Sequence, residues 1–388
     1  MSASPALIAA WARSAVAPRG GAFALLQAHQ IAAPVVQALL QRAGIAPKAV
    51  DALVLGNALG AGGNPARMVA LAAGLPEACA ALSVDTQCCS GIDALAVAAG
   101  LIASGQAQVV VAGGVEAWSR SPIRLHRPLR EGEPAVAYER PAFVPDAARD
   151  PDMLESAANY AQRHGYSRAQ QDAYAVQSHQ RALAAQAMLA AEIVPVAGVA
   201  NDLYPRAVTA ARAARMPVVA GSAGAIGEAP DCSLGTLGVS AMADGAAFVL
   251  VASAQACEQW GLAPRARLRA AASVGANPET PLLAAELAAR AALQRGGLAG
   301  LGEVDVVELH DAFAVQGLSF CQALGVDVGR INSGGGGLAR GHPIGASAAI
   351  ALVRVLAELA RGERSGATGL AAVAGAGGIG AAALVEWL

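Results

Sequence analysis

The sequence predicts a layered α/β protein built from two duplicated halves with a loop domain inserted between them. Three observations carry this expectation. The first is an internal repeat: Ala38-Leu39-Leu40-Gln41-Arg42-Ala43-Gly44-Ile45 followed by Val50-Asp51-Ala52-Leu53-Val54-Leu55 returns as Ala291-Ala292-Leu293-Gln294-Arg295-Gly296-Gly297-Leu298 followed by Val304-Asp305-Val306-Val307-Glu308-Leu309. Each copy reads as a helix closed by glycine, a short turn and a buried strand. The second is spacing, since Val50 stands 38 residues before Cys88 and Val304 stands 38 before His342. The third is texture: Trp118 to Leu234 differ from the rest, where strand and helix signals alternate as layered halves require. The boundaries drawn on this basis are residues 1–117 with 235–261 for the first half, 118–234 for the loop domain and 262–388 for the second half.

Within the inserted segment, Trp118 to Pro151 is rich in Arg, Pro and Glu without a regular period and reads as loop. Ser167 then caps a helix running through Ser178-His179-Gln180-Arg181, and Glu192-Ile193-Val194-Pro195-Val196 follows as a strand.

Composition narrows the function classes. The 388 residues suffice for two or three domains, and 55% hydrophobic with 14% charged residues describes a compact chain rather than a disordered one. No run of about 18 apolar residues is present to suggest a membrane span. Met1 to Gly20 is broken by Arg13, Ser14 and Arg19 and lacks the basic start and apolar run of a signal peptide, which points to the cytoplasm. A net charge of −2 argues against a general nucleic-acid surface. Lys48 is the only lysine, and arginines gather at Arg120, Arg124, Arg127, Arg130 and Arg140, then at Arg206, Arg212 and Arg215. Such clusters either meet an anionic ligand through forked donors or form a solvated loop face. The six cysteines show no C-x-x-C spacing, so they read as reduced thiols, with Cys79, Cys232, Cys257 and Cys321 in the core. No metal ligands are assigned.

The chemistry concentrates at two points. In Val84-Asp85-Thr86-Gln87-Cys88-Cys89-Ser90-Gly91 an apolar strand stops at a thiol and an Ala-rich helix begins. A thiol at a helix N-terminus is expected to titrate below the value of about 8.5 for a free cysteine, and the N–H groups of the first turn can hold an oxyanion. His342 lies between Gly341 and Pro343, which fix its backbone. A cysteine with a remote histidine is the minimum for thiol nucleophilic catalysis. If the halves pack about a pseudo-two-fold axis, both residues converge on one cleft.

Taken together these residues resemble the thiolase family, nearly end to end. The match is carried by Gly56-Asn57, Gly63-Asn64-Pro65-Ala66-Arg67, Cys88-x-Ser90-Gly91, Gln171-Asp172 with Ser178-His179, Ser240-Ala241-Met242-Ala243-Asp244-Gly245-Ala246-Ala247 and Gly341-His342-Pro343, all in family order. The resemblance implies a thiolase fold, layered αβαβα, with coenzyme A thioesters as substrates, no permanently bound cofactor, and a homodimer or homotetramer. It also implies roles. Cys88 takes the acyl group, and His342 draws the thiol proton and then steadies the thioester oxygen. Backbone N–H groups of Cys88 and Ala376 form one oxyanion hole, Ser240 lines the pantetheine tunnel, and arginines of the loop domain meet the nucleotide phosphates.

Two departures from the family pattern stand out. Most thiolases carry Asn-Glu-Ala-Phe where this chain has His310-Asp311-Ala312-Phe313, an arrangement similar to the sterol-carrier-protein-linked branch. His310 would donate an N–H into the second oxyanion site. The second departure is a missing thiol: the usual cysteine six residues before the last glycine of Gly377-Gly378-Ile379-Gly380 is Ala374, and the alternative place in that branch is Ala312. Carbanion chemistry beside a thioester needs an acid/base within reach, and Cys89, Asp311 and His310 are the candidates, with His310 and Asp311 ahead.

The expected function is acyl transfer between coenzyme A thioesters through a Cys88 acyl-enzyme, as in 3-ketoacyl-CoA thiolysis or acetyl-CoA condensation. Loss of the thiol leaves open an acyltransferase or thioesterase without carbon–carbon chemistry, and a non-catalytic acyl-CoA-binding subunit working with a small partner protein. A cysteine protease or amidase would want an orienting Asn or Asp near the histidine. Gly375-Ala376-Gly377-Gly378-Ile379-Gly380 fits a dinucleotide-loop pattern, but the residues after it are too few for a crossover helix and second strand.

Overall fold

Residues 5–60, 62–221 and 230–388 are described by the computed structural model; residues 1–4 and 61 of the first half and residues 222–229 of the loop domain lie outside the described residues. The principal strands are β1 (Leu7–Ser14), β2 (Ala52–Gly56), β3 (Ala80–Val84), β4 (Val109–Ala117), β5 (Ala243–Ala252), β6 (Ala266–Gly275), β7 (Val306–His310), β8 (Thr368–Gly375) and β9 (Ile379–Trp387). Five helices matter for the site: α1 (Ala28–Ala43), α2 (Ser90–Ala103), α3 (Arg168–Ala184), α4 (Ala284–Arg295) and α5 (Ile344–Gly362).

The duplication is visible in the strand order, β7-β8-β9-β6-β1-β5-β4-β2-β3. Outward from the joint where β1 meets β6, the first half runs antiparallel through β5 and β4, then parallel through β2 and β3. The second half repeats those directions through β9, β8 and β7, and Val307 of β7 then meets Ile331 in a parallel bridge at the place corresponding to β3. Cys88 follows β3 and His342 follows that bridge, so the matched spacing in the sequence reflects matched topology.

The layers follow from where apolar side chains point. Strand β4 is buried along its whole length, as expected of a strand covered on both faces. On one outer face Ile31, Val35 and Leu39 of α1 pack with Leu53, Leu55 and Phe248. On the other, Ala285, Ala288, Ala289 and Ala292 of α4 pack with Leu309, Leu370 and Leu384. Between the two sheet halves lie α2 and α5, whose Ile92, Leu95, Ala349, Leu352 and Val353 share one core with Val251 and Val373. The result is the αβαβα sandwich.

Small residues set how closely the central helices approach. A Cβ on Gly91 would come within 2.5 Å of the Ala349 backbone nitrogen, so α2 and α5 meet only because that position is glycine. Helix α3 begins where expected: Ser167 Oγ accepts from Gln170 N–H at 3.3 Å and Gln170 Oε1 accepts from Ser167 N–H at 2.9 Å, a reciprocal capping box. The strand expected over 192–196 contracts to Ile193–Val194, which lies parallel to β1 and stops at Pro195, a residue without an N–H to donate. A helix at Met153–His164, capped by Asp152, was not read from the sequence. Among the described residues no helix is long and apolar enough to cross a membrane.

Gly91→Val should force α2 and α5 apart. Overpacking of this kind costs about 1–3 kcal/mol, so thermal unfolding should show a Tm several degrees lower. An unchanged Tm would mean that the helix crossing is not tight.

Candidate active site

Two chain segments from different halves meet at the N-terminal ends of α2 and α5. After β3 the backbone turns sharply, with Gln87 at φ +53°, an uncommon left-handed conformation for a side chain other than glycine. This turn delivers Cys88 to the start of α2. Its sulfur lies 3.0 Å from Nε2 of His342. His342 Nδ1 is 2.8 Å from Ser347 Oγ, and the Ser347 hydroxyl donates to Pro343 O at 2.9 Å. Because that hydroxyl has given its only proton to a carbonyl, it can only accept from His342. This arrangement favours the tautomer with its proton on Nδ1, which leaves the Nε2 lone pair for the thiol.

Burial governs the titration of this pair. The sequence expectation of a depressed Cys88 pKa is corrected by the structure: burial pushes the thiol up to about 12, although the N–H groups of Cys88 and Ala376 within hydrogen-bonding reach of the sulfur pull it down. Burial likewise pushes His342 down to about 4. Near neutral pH the resting state is thiol and neutral imidazole, not an ion pair.

The ring of His310 stacks on that of His342, with centroids 4.4 Å apart and planes 26° apart. Burial holds His310 well below its ordinary pKa, and neighbouring His342 and Arg340 act in the same direction. Its Nε2 is buried without a hydrogen-bond partner. The indole of Trp118 lies near His342 as well, at 6.5 Å between centroids. Gly337 leaves room for this arrangement, since a Cβ there would approach His310 Cε1 to 2.7 Å.

The remaining sequence candidates separate from this cluster. Asp311 is a correction: its carboxylate accepts from Tyr174 O–H at 2.9 Å and from the N–H groups of Gly337 and Leu338. Burial raises its pKa to about 6, but its acceptor sites already hold the loop in place, so it is a clamp rather than a free acid or base. Ser240 Oγ donates to Gly337 O at 2.6 Å and its N–H donates to Ala312 O at 2.9 Å, which ties its segment to the His310 loop. Cys89 points away, with Sγ 3.9 Å from Val373 O, and burial holds its pKa well above the usual thiol range.

Comparison with known proteins identifies the architecture. Residues 6–255 match the thiolase N-terminal domain and residues 262–387 the thiolase C-terminal domain. The chain belongs to the thiolase family. It is 36% identical over 385 residues to an acetyl-CoA acetyltransferase of Allochromatium vinosum, covering 96% of this chain and 97% of that one. It is 37% identical over 384 residues to a probable acetyl-CoA acetyltransferase of Escherichia coli, covering 94% and 95%. The crystal structure of the Bacillus anthracis acetyl-CoA acetyltransferase superposes with a TM-score of 0.88 at 30% identity over 100% of this chain and 99% of that one. A thiolase from Ascaris suum in complex with coenzyme A gives 0.89 at 26% identity, over 99% and 100%.

In this thiolase Ala374, at the place of the absent thiol, packs against the apolar core beneath α4. Ala374 is partly exposed while Val373 and Gly375 beside it are buried. Besides Ser347, a second residue escaped the sequence reading. Glu116, fully enclosed, accepts from Asn57 Nδ2 at 2.9 Å, from Ala58 N–H at 3.0 Å, from Leu59 N–H at 3.3 Å and from Gly345 N–H at 3.1 Å. It thereby staples the first half to the start of α5, two residues after Pro343. Burial pushes its pKa up to about 7 while those N–H groups pull it down. The available signal was a lone carboxylate in the apolar run Val109–Ala117.

Because thiolate is the reactive form, alkylation of Cys88 by iodoacetamide should climb continuously from pH 7 to pH 10. Peptide mass spectrometry of timed samples measures it. A plateau reached below pH 8 would mean a thiolate–imidazolium pair and contradict the neutral resting state.

Proposed function

We propose that this thiolase transfers acyl groups between coenzyme A thioesters through an acyl-enzyme on Cys88, in 3-ketoacyl-CoA thiolysis or acetyl-CoA condensation. The observation that carries this reading is the 3.0 Å contact between Cys88 Sγ and His342 Nε2. The names of the relatives support it, and a Ser347-oriented imidazole is the base such a step needs. As the sulfur attacks the substrate carbonyl, the thiol proton passes to His342 Nε2. The N–H groups of Cys88 and Ala376 meet the developing oxyanion. The bond from the carbonyl carbon to its leaving group then breaks: a departing coenzyme A thiolate takes back the proton held by His342, and a departing carbanion is protonated at carbon. Ser240 retains lone pairs with which to accept from a pantetheine amide N–H.

A proton must also move on carbon without the usual cysteine: in thiolysis it is given to the carbanion that leaves as Cys88 is acylated, and in condensation it is taken from the second acetyl-CoA before that carbon attacks the acyl-enzyme. We assign that proton to His310, whose unpartnered Nε2 also suits donation into the second oxyanion site. The His310-Asp311-Ala312-Phe313 loop supports placement near the sterol-carrier-protein-linked branch. A homodimer is supported by strand β3, which lies at the end of the sheet with Leu82 exposed, beside exposed Met68 and Leu71.

Intact-mass spectrometry after incubation with acetyl-CoA should show one added acetyl group, lost in Cys88→Ala. Thiolysis of acetoacetyl-CoA by Cys88→Ala should fall by at least about 10³-fold. His310→Asn keeps an N–H donor but cannot carry a proton, so it should retain acylation while thiolysis falls about 10²-fold. Labelling that survives Cys88→Ala would refute the acyl-enzyme. Acylation of the parent without thiolysis would favour an acyltransferase or thioesterase, and absence of labelling a binding role.

A further inference from the structure

A set of buried charges lies beneath the histidines and takes no part in the steps above. Arg340 Nη2 contacts Glu308 Oε2 at 3.2 Å, and Arg340 Nη1 donates to Gly335 O at 2.7 Å. The side chains of this pair are 2% and 0% exposed. Beyond them Arg354 Nη1 holds Glu192 Oε2 at 2.6 Å, and the other oxygen of Glu192 holds Arg13 Nε at 2.6 Å. Arg13 also pairs with Asp202 at 2.7 Å, so the network runs from β1 through the inserted segment to α5. Between its two parts is a gap: Glu308 Oε1 and Arg354 Nε stand 3.9 Å apart, and neither has another partner.

Sequence position gives the pair its meaning. Glu308 and His310 lie two apart on β7 and therefore share one face of the sheet. Arg340 ends the short helix Gly337–Arg340, Gly341 reverses the chain at φ +105°, and His342 follows. Each histidine is thus anchored, two residues away, to one arm of a single ion pair. Buried ion pairs are commonly no more stabilising than apolar residues of similar volume, so stability alone does not account for this one; a fixed register does.

We propose that Glu308 and Arg340 are positioning residues that hold the His310 and His342 segments in register, and so hold the His342 imidazole against the Cys88 sulfur. This rests on His342 acting as the base for Cys88. The pair makes no hydrogen bond to the sulfur or to either ring and positions them through the backbone of β7 and of the Arg340–His342 segment; the charge of Arg340, which also bears on His310, is kept in Arg340→Lys.

The test compares Arg340→Lys with the double variant Glu308→Leu/Arg340→Met in the full chain. Arg340→Lys keeps the charge but loses the fork that grips Glu308 and Gly335 together. It should lower kcat for thiolysis about tenfold at unchanged KM, and slow Cys88 alkylation by a similar factor at every pH from 7 to 10. The double variant, which removes both charges, should regain the parental Tm yet keep the low kcat and slow alkylation. Parental kcat and alkylation in either variant would overturn the proposal and leave the pair a structural element only. If the double variant does not fold, Arg340→Lys decides alone. Alkylation needs no acyl substrate, so a parent inactive in thiolysis would sink the assigned reaction without obscuring the positioning result.

Discussion

The thiol of the first half and the imidazole of the second share one hydrogen bond of 3.0 Å, and the rest of the site is arranged around it. Neither half contains both partners. Their meeting depends on α2 and α5 crossing at Gly91 and Ala349, and on Glu116 binding the first-half segment 57–59 and the α5 start at once. A covalent mechanism here is therefore a property of the packed interface between two halves rather than of a local motif.

The electrostatics of that interface reverse the simplest expectation for a cysteine at a helix start. Favourable charge–dipole interactions at helix ends are worth about 0.3–1 kcal/mol, whereas removing an ion from water costs several kcal/mol even after relaxation. Burial wins, and both partners rest neutral. In the proposed reaction the thiol ionises as its proton moves to His342, when a carbonyl carbon is there to receive the sulfur. The same feature lowers thiolate character between turnovers and with it susceptibility to oxidation.

Much of the fold was legible because duplication leaves periodic traces. The helix–turn–strand repeat and the equal spacing from Val50 to Cys88 and from Val304 to His342 both correspond to equivalent positions in the observed strand order. The nucleophile and the histidine could be picked out by residue type and local punctuation. Other features depend on partners distant in sequence. Glu116 and Gly345 are 229 residues apart, and Tyr174 and Asp311 are 137 apart, so nothing local marks Glu116 as a staple or Asp311 as a clamp. The raised Cys88 pKa was hidden for a related reason, since a helix N-terminus can be read from sequence while the degree of burial around it cannot. Ser347 lies five residues beyond His342 in the first turns of α5, and its role emerges only from where its proton goes.

The most direct test of the central claim is nitrogen NMR of protein labelled at its imidazole nitrogens, with His342 assigned by substitution. The account predicts a neutral ring from pH 6 to pH 8, protonated at Nδ1, with the Nε2 signal shifted in Cys88→Ala. An imidazolium signal over that range, or an Nε2 signal indifferent to loss of the thiol, would contradict it.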